Sequence, residues 1–263
     1  MITIQRYVRA QSLEEAYELN QKKRNRIVGG MLWMKMSRSA VDTVIDLCDL
    51  GLDKIEETEE EFSIGSTVSL RSLEKHSGLN HYTNGAVEAA LRDIVGVQFR
   101  NMATVGGSIW GRFGFSDVLT VFLAMDTYVE LYKGGIVPLS DFAKMEYDND
   151  ILIRIIVKKR QGSFSYTAHR NQRTDFPVIN CAVSNIGGCY RAVIGARPGK
   201  AVVVMDDTGI LSGEFDAENA KTFAEYVASV VPTQSNLRGS AEYRSHLVKV
   251  LTERCTIEIG GRK

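Results

Sequence analysis

Arg100-Asn101-Met102-Ala103-Thr104-Val105-Gly106-Gly107-Ser108-Ile109-Trp110-Gly111-Arg112-Phe113-Gly114-Phe115-Ser116-Asp117 is the most informative run in this 263-residue chain. The glycine pair Gly106-Gly107 follows the short Thr104-Val105 run. Glycine lets a backbone turn with no Cβ in the way, so consecutive N–H groups can converge on one anion. The same pair serves equally well as a purely structural turn. Farther on, Ser116 has the chemistry of a helix N-cap, and Asp117 favours the positive end of the helix it opens. A second pair, Gly29-Gly30, follows the apolar run Ile27-Val28. Two strand-then-glycine turns, each able to take a phosphate, suit one elongated dinucleotide; one alone is weak evidence.

Composition narrows the field. A hydrophobic content of 44% allows a large buried core. Lys plus Arg and Asp plus Glu balance at 32 each, so no net field draws the chain to nucleic acid. Met1 to Tyr7 has no charged region followed by a long apolar run, and no segment approaches the ~18 apolar residues of a membrane span, which predicts a cytoplasmic protein without membrane contact. Cys48, Cys181, Cys189 and Cys255 are scattered without a C-x-x-C pair, and His76, His81, His169 and His246 lack ligand spacing. Both patterns predict that this chain holds no metal itself.

Taken in order, Ile2 to Tyr7 reads as a strand and Ser12-Leu13-Glu14-Glu15 as a capping box opening a helix. The cluster Gln21 to Arg26 closes that helix. Arg26 to Val28 is a second strand, Met31 to Met36 a short apolar turn or helix, and Val44 to Leu47 a third strand. After an acidic break at Glu56 to Glu61, Phe62 to Gly65 resumes a strand, and Leu70 and Leu73 mark a helix. Gly85 to Val95 reads as a helix with Val87, Leu91, Ile94 and Val95 on one face. A buried helix is predicted from Val118 to Met125, then a hairpin turning at Gly134-Gly135, with Pro138 marking its second strand as an edge. Ile151 to Val157 is a strong strand. Beyond a boundary near Lys158 to Gly162, four strands form a meander turning at Gly187-Gly188. Two helices follow, one capped by Asp216 with Ala220, Phe223, Val227 and Val230 inward. The other is opened by Ser240 with Tyr243, Leu247, Val250 and Leu251 inward.

Several familiar sites fail on spacing. No G-x-G-x-x-G follows a strand, which removes a Rossmann site. Gly195-Ala196-Arg197-Pro198-Gly199-Lys200-Ala201 is one residue short of a P-loop, lacks the hydroxyl after Lys, and has a proline where backbone donors are needed. It reads as a loop. No G-x-S-x-G marks an exposed nucleophile.

Arg100 to Ser108, with Ser116-Asp117 following, closely resembles the second flavin-binding motif of molybdenum hydroxylase FAD subunits. This is the family of xanthine dehydrogenase, the carbon monoxide dehydrogenase medium subunit and nicotinate dehydrogenase. Val28-Gly29-Gly30 resembles the family's first motif, Ile64-Gly65-Ser66-Thr67 the strand that follows it, and Arg238-Gly239-Ser240-Ala241-Glu242-Tyr243-Arg244 a C-terminal segment. The resemblance implies an α+β fold. A vanillyl-alcohol-oxidase-like (PCMH-type) FAD-binding domain would cover 1–158, in subdomains of about 1–55 and 56–158, with a small sheet-and-helices domain over 159–263. It further implies that Val28, Gly29, Gly30, Met31, Leu32 and Trp33 cradle the FAD pyrophosphate, while Thr104, Val105, Gly106, Gly107 and Ser108 close the second side. Asp117 would accept hydrogen bonds from sugar or ribityl hydroxyls, and Leu152 would lie against the isoalloxazine ring.

The departures from the family pattern are specific. Met31 and Leu32 stand where many members have Thr and an acidic residue, and Ser108 replaces the commoner Asn. Near Phe164 to Asp175, where the family often has a lysine, this chain has Tyr166, Thr167, His169 and Arg170, which makes Arg170 the substitute. The implied function is that of an FAD electron-transfer subunit of a xanthine dehydrogenase or related purine hydroxylase. A large molybdopterin subunit would oxidise the substrate, a small iron-sulfur subunit would relay electrons through 2Fe-2S clusters, and FAD would pass hydride to NAD. No side chain of this chain need act as acid or base. Two alternatives stand beside it: a non-redox assembly subunit whose altered first motif no longer retains FAD, and a free-standing flavoprotein reductase.

Overall fold

The computed structural model describes residues 1–213 and 215–261. The chain opens with β1 (Thr3–Arg9), α1 (Leu13–Asn20), β2 (Arg26–Val28), β3 (Ala40–Asp46), β4 (Ile55–Glu57) and β5 (Glu61–Gly65). Short helices dominate the middle section, which runs through α2 (Leu70–Lys75), α3 (Ser77–Tyr82), α4 (Ala86–Leu91), α5 (Val97–Met102), α6 (Val105–Trp110) and α7 (Asp117–Leu123). It continues with β6 (Thr127–Leu131), β7 (Gly135–Pro138), α8 (Leu139–Phe142) and β8 (Leu152–Lys158), α8 packing on the β6-β7 hairpin. The last part is β9 (Gly162–Arg170), β10 (Pro177–Ile186), β11 (Cys189–Gly195), β12 (Val202–Met205), α9 (Ala217–Val230) and α10 (Ala241–Gly260).

Two compact units interleave along the chain. The first comprises 1–73, 97–111 and 127–157, the second 74–96, 112–126 and 158–263. In the first unit β1 and β2 both pair in parallel with β3, giving the order β1-β3-β2. Ser12 caps α1 by accepting from the Glu15 amide at 3.1 Å, while the Glu15 carboxylate reaches the Gln11 amide at 2.8 Å, one residue earlier than a capping box requires. Ala10, Ala16, Ile45 and Leu47 bury against one another beneath α1. A second sheet has the order β4-β5-β8-β6-β7. Pro138 ends β7 at the sheet's edge, where its missing N–H costs no ladder bond. The acidic break predicted at Glu56 to Glu61 is partly ordered: Ile55 to Glu57 pair antiparallel with Phe62 to Ile64.

In the second unit the order is β12-β11-β10-β9, all antiparallel, and Gly187 and Gly188 turn the central hairpin with φ of 58° and 87°. Strand β10 is buried over Pro177 to Ser184 because both faces are covered. Cys181 and Val183 pack with Phe223, Val227, Val248 and Leu251 of α9 and α10. On the alternate face Asn180 accepts from Thr120 of α7 at 3.1 Å and Ser184 donates to the Ala124 carbonyl at 2.6 Å. Asp216 and Ser240 cap α9 and α10 as predicted.

Three side chains expected inward point out: Val95, Val230 and Tyr243 are exposed. Helix α4 ends at Leu91, and Val95 lies past it at φ 49°, off the helical face that period-3.6 counting assigns to it. The larger correction concerns Gly106-Gly107. They do not form a free glycine turn after a strand but occupy the first turn of α6, capped by Thr104.

Candidate functional site

The site grows from the packing of the first glycine pair on the residues before α6. Gly30 is a close-approach glycine: a Cβ there would lie 1.9 Å from the Met102 carbonyl oxygen. A Cβ on Gly29 would lie 2.5 Å from Thr104 Oγ1. Only absent side chains let these two segments, more than 70 positions apart, touch. Gly106 does the same against the turn after β5, where a Cβ would meet the Ser66 carbonyl oxygen at 2.5 Å.

Between these segments lies a cavity of about 570 Å³ within the first unit. Of the residues predicted from sequence, Val28, Gly29, Thr104, Gly106, Gly107 and Leu152 line it. Met31, Leu32 and Trp33 do not; Met31 takes φ 57° and Trp33 is half exposed. Val105 is fully buried, and the Ser108 hydroxyl donates to the Thr104 carbonyl at 3.1 Å, so neither contributes to the wall.

The donors of the wall are not the ones the motif predicts. The amides of Val105, Gly106 and Gly107 are spent inside the protein, on the Val68 carbonyl at 2.9 Å, the Ser66 carbonyl at 2.8 Å and Thr104 Oγ1 at 3.1 Å. The expected convergence of consecutive N–H groups on an anion is therefore not what this glycine pair provides; its glycines serve close packing. The cavity draws its polarity from other residues. Lys23 and Arg26 line it with positive charge, and Ser66 and Thr67 line it from the turn beyond β5. The Ser66 and Thr67 hydroxyl oxygens are buried with no hydrogen-bond partner. Asp150, also on the wall, is committed to the amides of Lys133, Gly134 and Ile151. Lys23 and Arg26 escape a sequence reading because they sit in what looks like a helix-closing cluster. Ser66 and Thr67 are signalled only by their place after Ile64-Gly65.

Thr104 ties cap to wall. We expect Thr104→Val, which keeps the volume and removes the cap acceptor, to cost about 1 kcal/mol and lower the melting temperature by about 2–4 °C. Thermal denaturation read by circular dichroism measures this, and an unchanged midpoint would deny the cap its weight.

Asp117 and Arg170 belong to the second unit and pair with each other there, Arg170 Nη2 to Asp117 Oδ2 at 2.8 Å, with both side chains under 10% exposed. Asp117 Oδ1 also accepts from the Tyr166 hydroxyl and from Asn180 Nδ2 at 3.0 Å. Arg170 Nη1 donates to the Asp175 carbonyl at 2.7 Å. Burial, reinforced by the Asp117 charge, holds the Tyr166 phenol well above its ordinary range, so it stays a donor. Burial opposes the Arg170 charge, yet Asp117 and Tyr166 outweigh it and raise its pKa. A carboxylate offers about four acceptor positions, so Asp117 Oδ2 keeps capacity beyond these protein donors.

The second unit also holds a cavity of about 410 Å³. Phe113 stacks on Phe115 at 5.2 Å, Phe115 meets Phe176 edge-on, and the Arg238 guanidinium lies 5.1 Å over the Phe176 ring.

The fold is that of an α+β protein whose first unit holds a cavity lined by the two glycine motifs and two cationic side chains. The carbon monoxide dehydrogenase structure from Hydrogenophaga pseudoflava superposes with a TM-score of 0.85 at 19% identity, over 97% of each chain. A model of the FAD binding domain in molybdopterin dehydrogenase matches residues 2–159, and the chain belongs to that family, the FAD-subunit family of the molybdenum hydroxylases that its motifs resemble. Among curated relatives, the nicotine 6-hydroxylase medium subunit of Paenarthrobacter nicotinovorans is 26% identical over 280 residues, covering 98% of each chain. The putative xanthine dehydrogenase FAD-binding subunit of Escherichia coli K12 is also 26% identical, over 192 residues, covering 66% of this chain and 65% of the relative. Among the described residues, no helix is long and apolar enough to cross a membrane.

Proposed function

We propose that this chain is the FAD-carrying electron-transfer subunit of a cytoplasmic, multi-subunit molybdenum hydroxylase. Its partners are a small iron-sulfur subunit and a large molybdopterin subunit. The observation that carries the reading is that Val28-Gly29 and Thr104-Gly106-Gly107, the two family motifs, line one cavity. That cavity fits a pyrophosphate: Lys23 and Arg26 supply charge, and two buried hydroxyls lack partners. Bound FAD supplies the redox chemistry, coupling single electrons from 2Fe-2S clusters to two-electron reduction of NAD. The side chains bind and orient. Leu152 offers an apolar surface to the flavin from the start of β8, and Asp117 Oδ2 offers its spare acceptor capacity to a sugar or ribityl hydroxyl. Arg170 holds that carboxylate in place. The large subunit sets the substrate, and the reading takes it as a purine of the xanthine type, for which one relative is named.

Two observations favour the assembly-subunit reading instead: Met31, Leu32 and Trp33 do not line the cavity, and the first amides of α6 are already bonded within the protein. The visible absorption spectrum of the purified protein, and of the supernatant after denaturation, separates the two. We expect near-stoichiometric FAD. A colourless protein that takes up no added FAD, alone or with its partners, would leave the assembly reading. Purification without iron-sulfur and molybdopterin subunits would point to a free-standing reductase.

A further inference from the structure

We infer that Ser66 and Thr67 are the hydrogen-bond donors for the FAD pyrophosphate, in place of the α6 amides and of the side chains missing at Met31 and Leu32; the inference rests on the FAD reading. Three observations converge. Ser66 Oγ and Thr67 Oγ1 are buried without a partner, although native structures pair nearly all such groups. Both residues line the cavity that the two glycine motifs enclose. Their own backbone groups are anchored: the Ser66 amide donates to the Ile153 carbonyl at 2.9 Å, the Thr67 amide to the Leu52 carbonyl at 3.0 Å, and the Ser66 carbonyl accepts from Gly106. Both residues therefore stand on fixed backbone at the wall, and the donor capacity of their buried hydroxyls is unspent. A buried hydroxyl with no partner is a cost to the ligand-free protein, and an anion that accepts its hydrogen bond removes that cost. Glycine at 106 is part of the same device, since a Cβ there would lie 2.7 Å from Ser66 Cβ and displace the hydroxyl.

The test uses the full chain stripped of flavin, with Ser66→Ala, Thr67→Val and the double variant. FAD is titrated by flavin fluorescence, ADP competes as a pyrophosphate without the flavin ring, and melting is followed without ligand. A charge-assisted hydrogen bond predicts an FAD Kd raised about tenfold or more for each variant, with ADP competition weakened in parallel. Removal of an unpaired buried hydroxyl predicts an apoprotein melting temperature equal to or above that of the unsubstituted chain. An FAD Kd within twofold of the unsubstituted value in the double variant would overturn the inference, as would an apoprotein that melts lower in step with the lost affinity. Failure of the unsubstituted chain to bind FAD would overturn the FAD reading itself.

Discussion

Gly30→Ala should lose both flavin and stability. The added methyl would sit 1.9 Å from the Met102 carbonyl oxygen and 2.6 Å from its carbon. Both are backbone atoms, so no rotamer change relieves the clash, and the 31–36 segment must separate from the residues leading into α6. Forcing extra volume into a packed contact costs about 1–3 kcal/mol or more. Because Gly29 and Thr104 of the same contact form the cavity wall, FAD affinity should fall with it. Gly107→Ala is the comparison for stability: its Cβ would meet only the Thr104 side-chain oxygen, at 3.1 Å, and a small loss of stability is expected. Parallel melting curves and FAD titrations of the two variants check this. Equal behaviour would mean that the close approach at Gly30 is not what holds the site together.

Asp117→Ala should be the most destabilising single change in the second unit. It leaves the Arg170 guanidinium buried without its counter-charge and strips an acceptor from Tyr166 and Asn180. Breaking a buried pair by removing one partner costs about 3–5 kcal/mol. For a chain of this size that lowers the melting temperature by on the order of 10 °C. Asp117→Asn keeps an acceptor for the neighbours and should cost less. Chemical denaturation of both variants gives the ranking, and Asp117→Ala unfolding at the unsubstituted denaturant concentration would show that the ion pair adds nothing.

Local chemistry is legible in the residues alone. The caps at Ser12, Ser116, Asp216 and Ser240 all form, because a side-chain oxygen needs only the amide three residues on. Hairpins at Gly134-Gly135 and Gly187-Gly188 follow for a similar reason, since the turn chemistry lies within a few positions. The two glycine motifs also lead correctly to one family. What stays hidden depends on residues far apart in the chain. Nothing local shows that the Gly106 amide bonds to Ser66, that Asp117 meets Arg170 across 53 positions, or that Lys23 and Arg26 face the glycine motifs. Glycine pairs are ambiguous for a physical reason: the missing Cβ admits an anion or another stretch of backbone equally well. Here Gly30 and Gly106 admit backbone. Helical faces near helix ends are easily misread because periodicity stops where the helix does, as at Val95.

The interleaving of the two units bears on how the polypeptide is made. Helices α4 and α7 emerge from the ribosome well before β9 and β10, the strands they pack on, which lie beyond residue 160. Until those strands are synthesised, Val87, Leu91, Val121 and Phe122 have no lasting cover. The first unit has all its segments once residue 157 is made, whereas the second, begun at residue 74, must keep its apolar helices from aggregating until β9 and β10 are complete at residue 186.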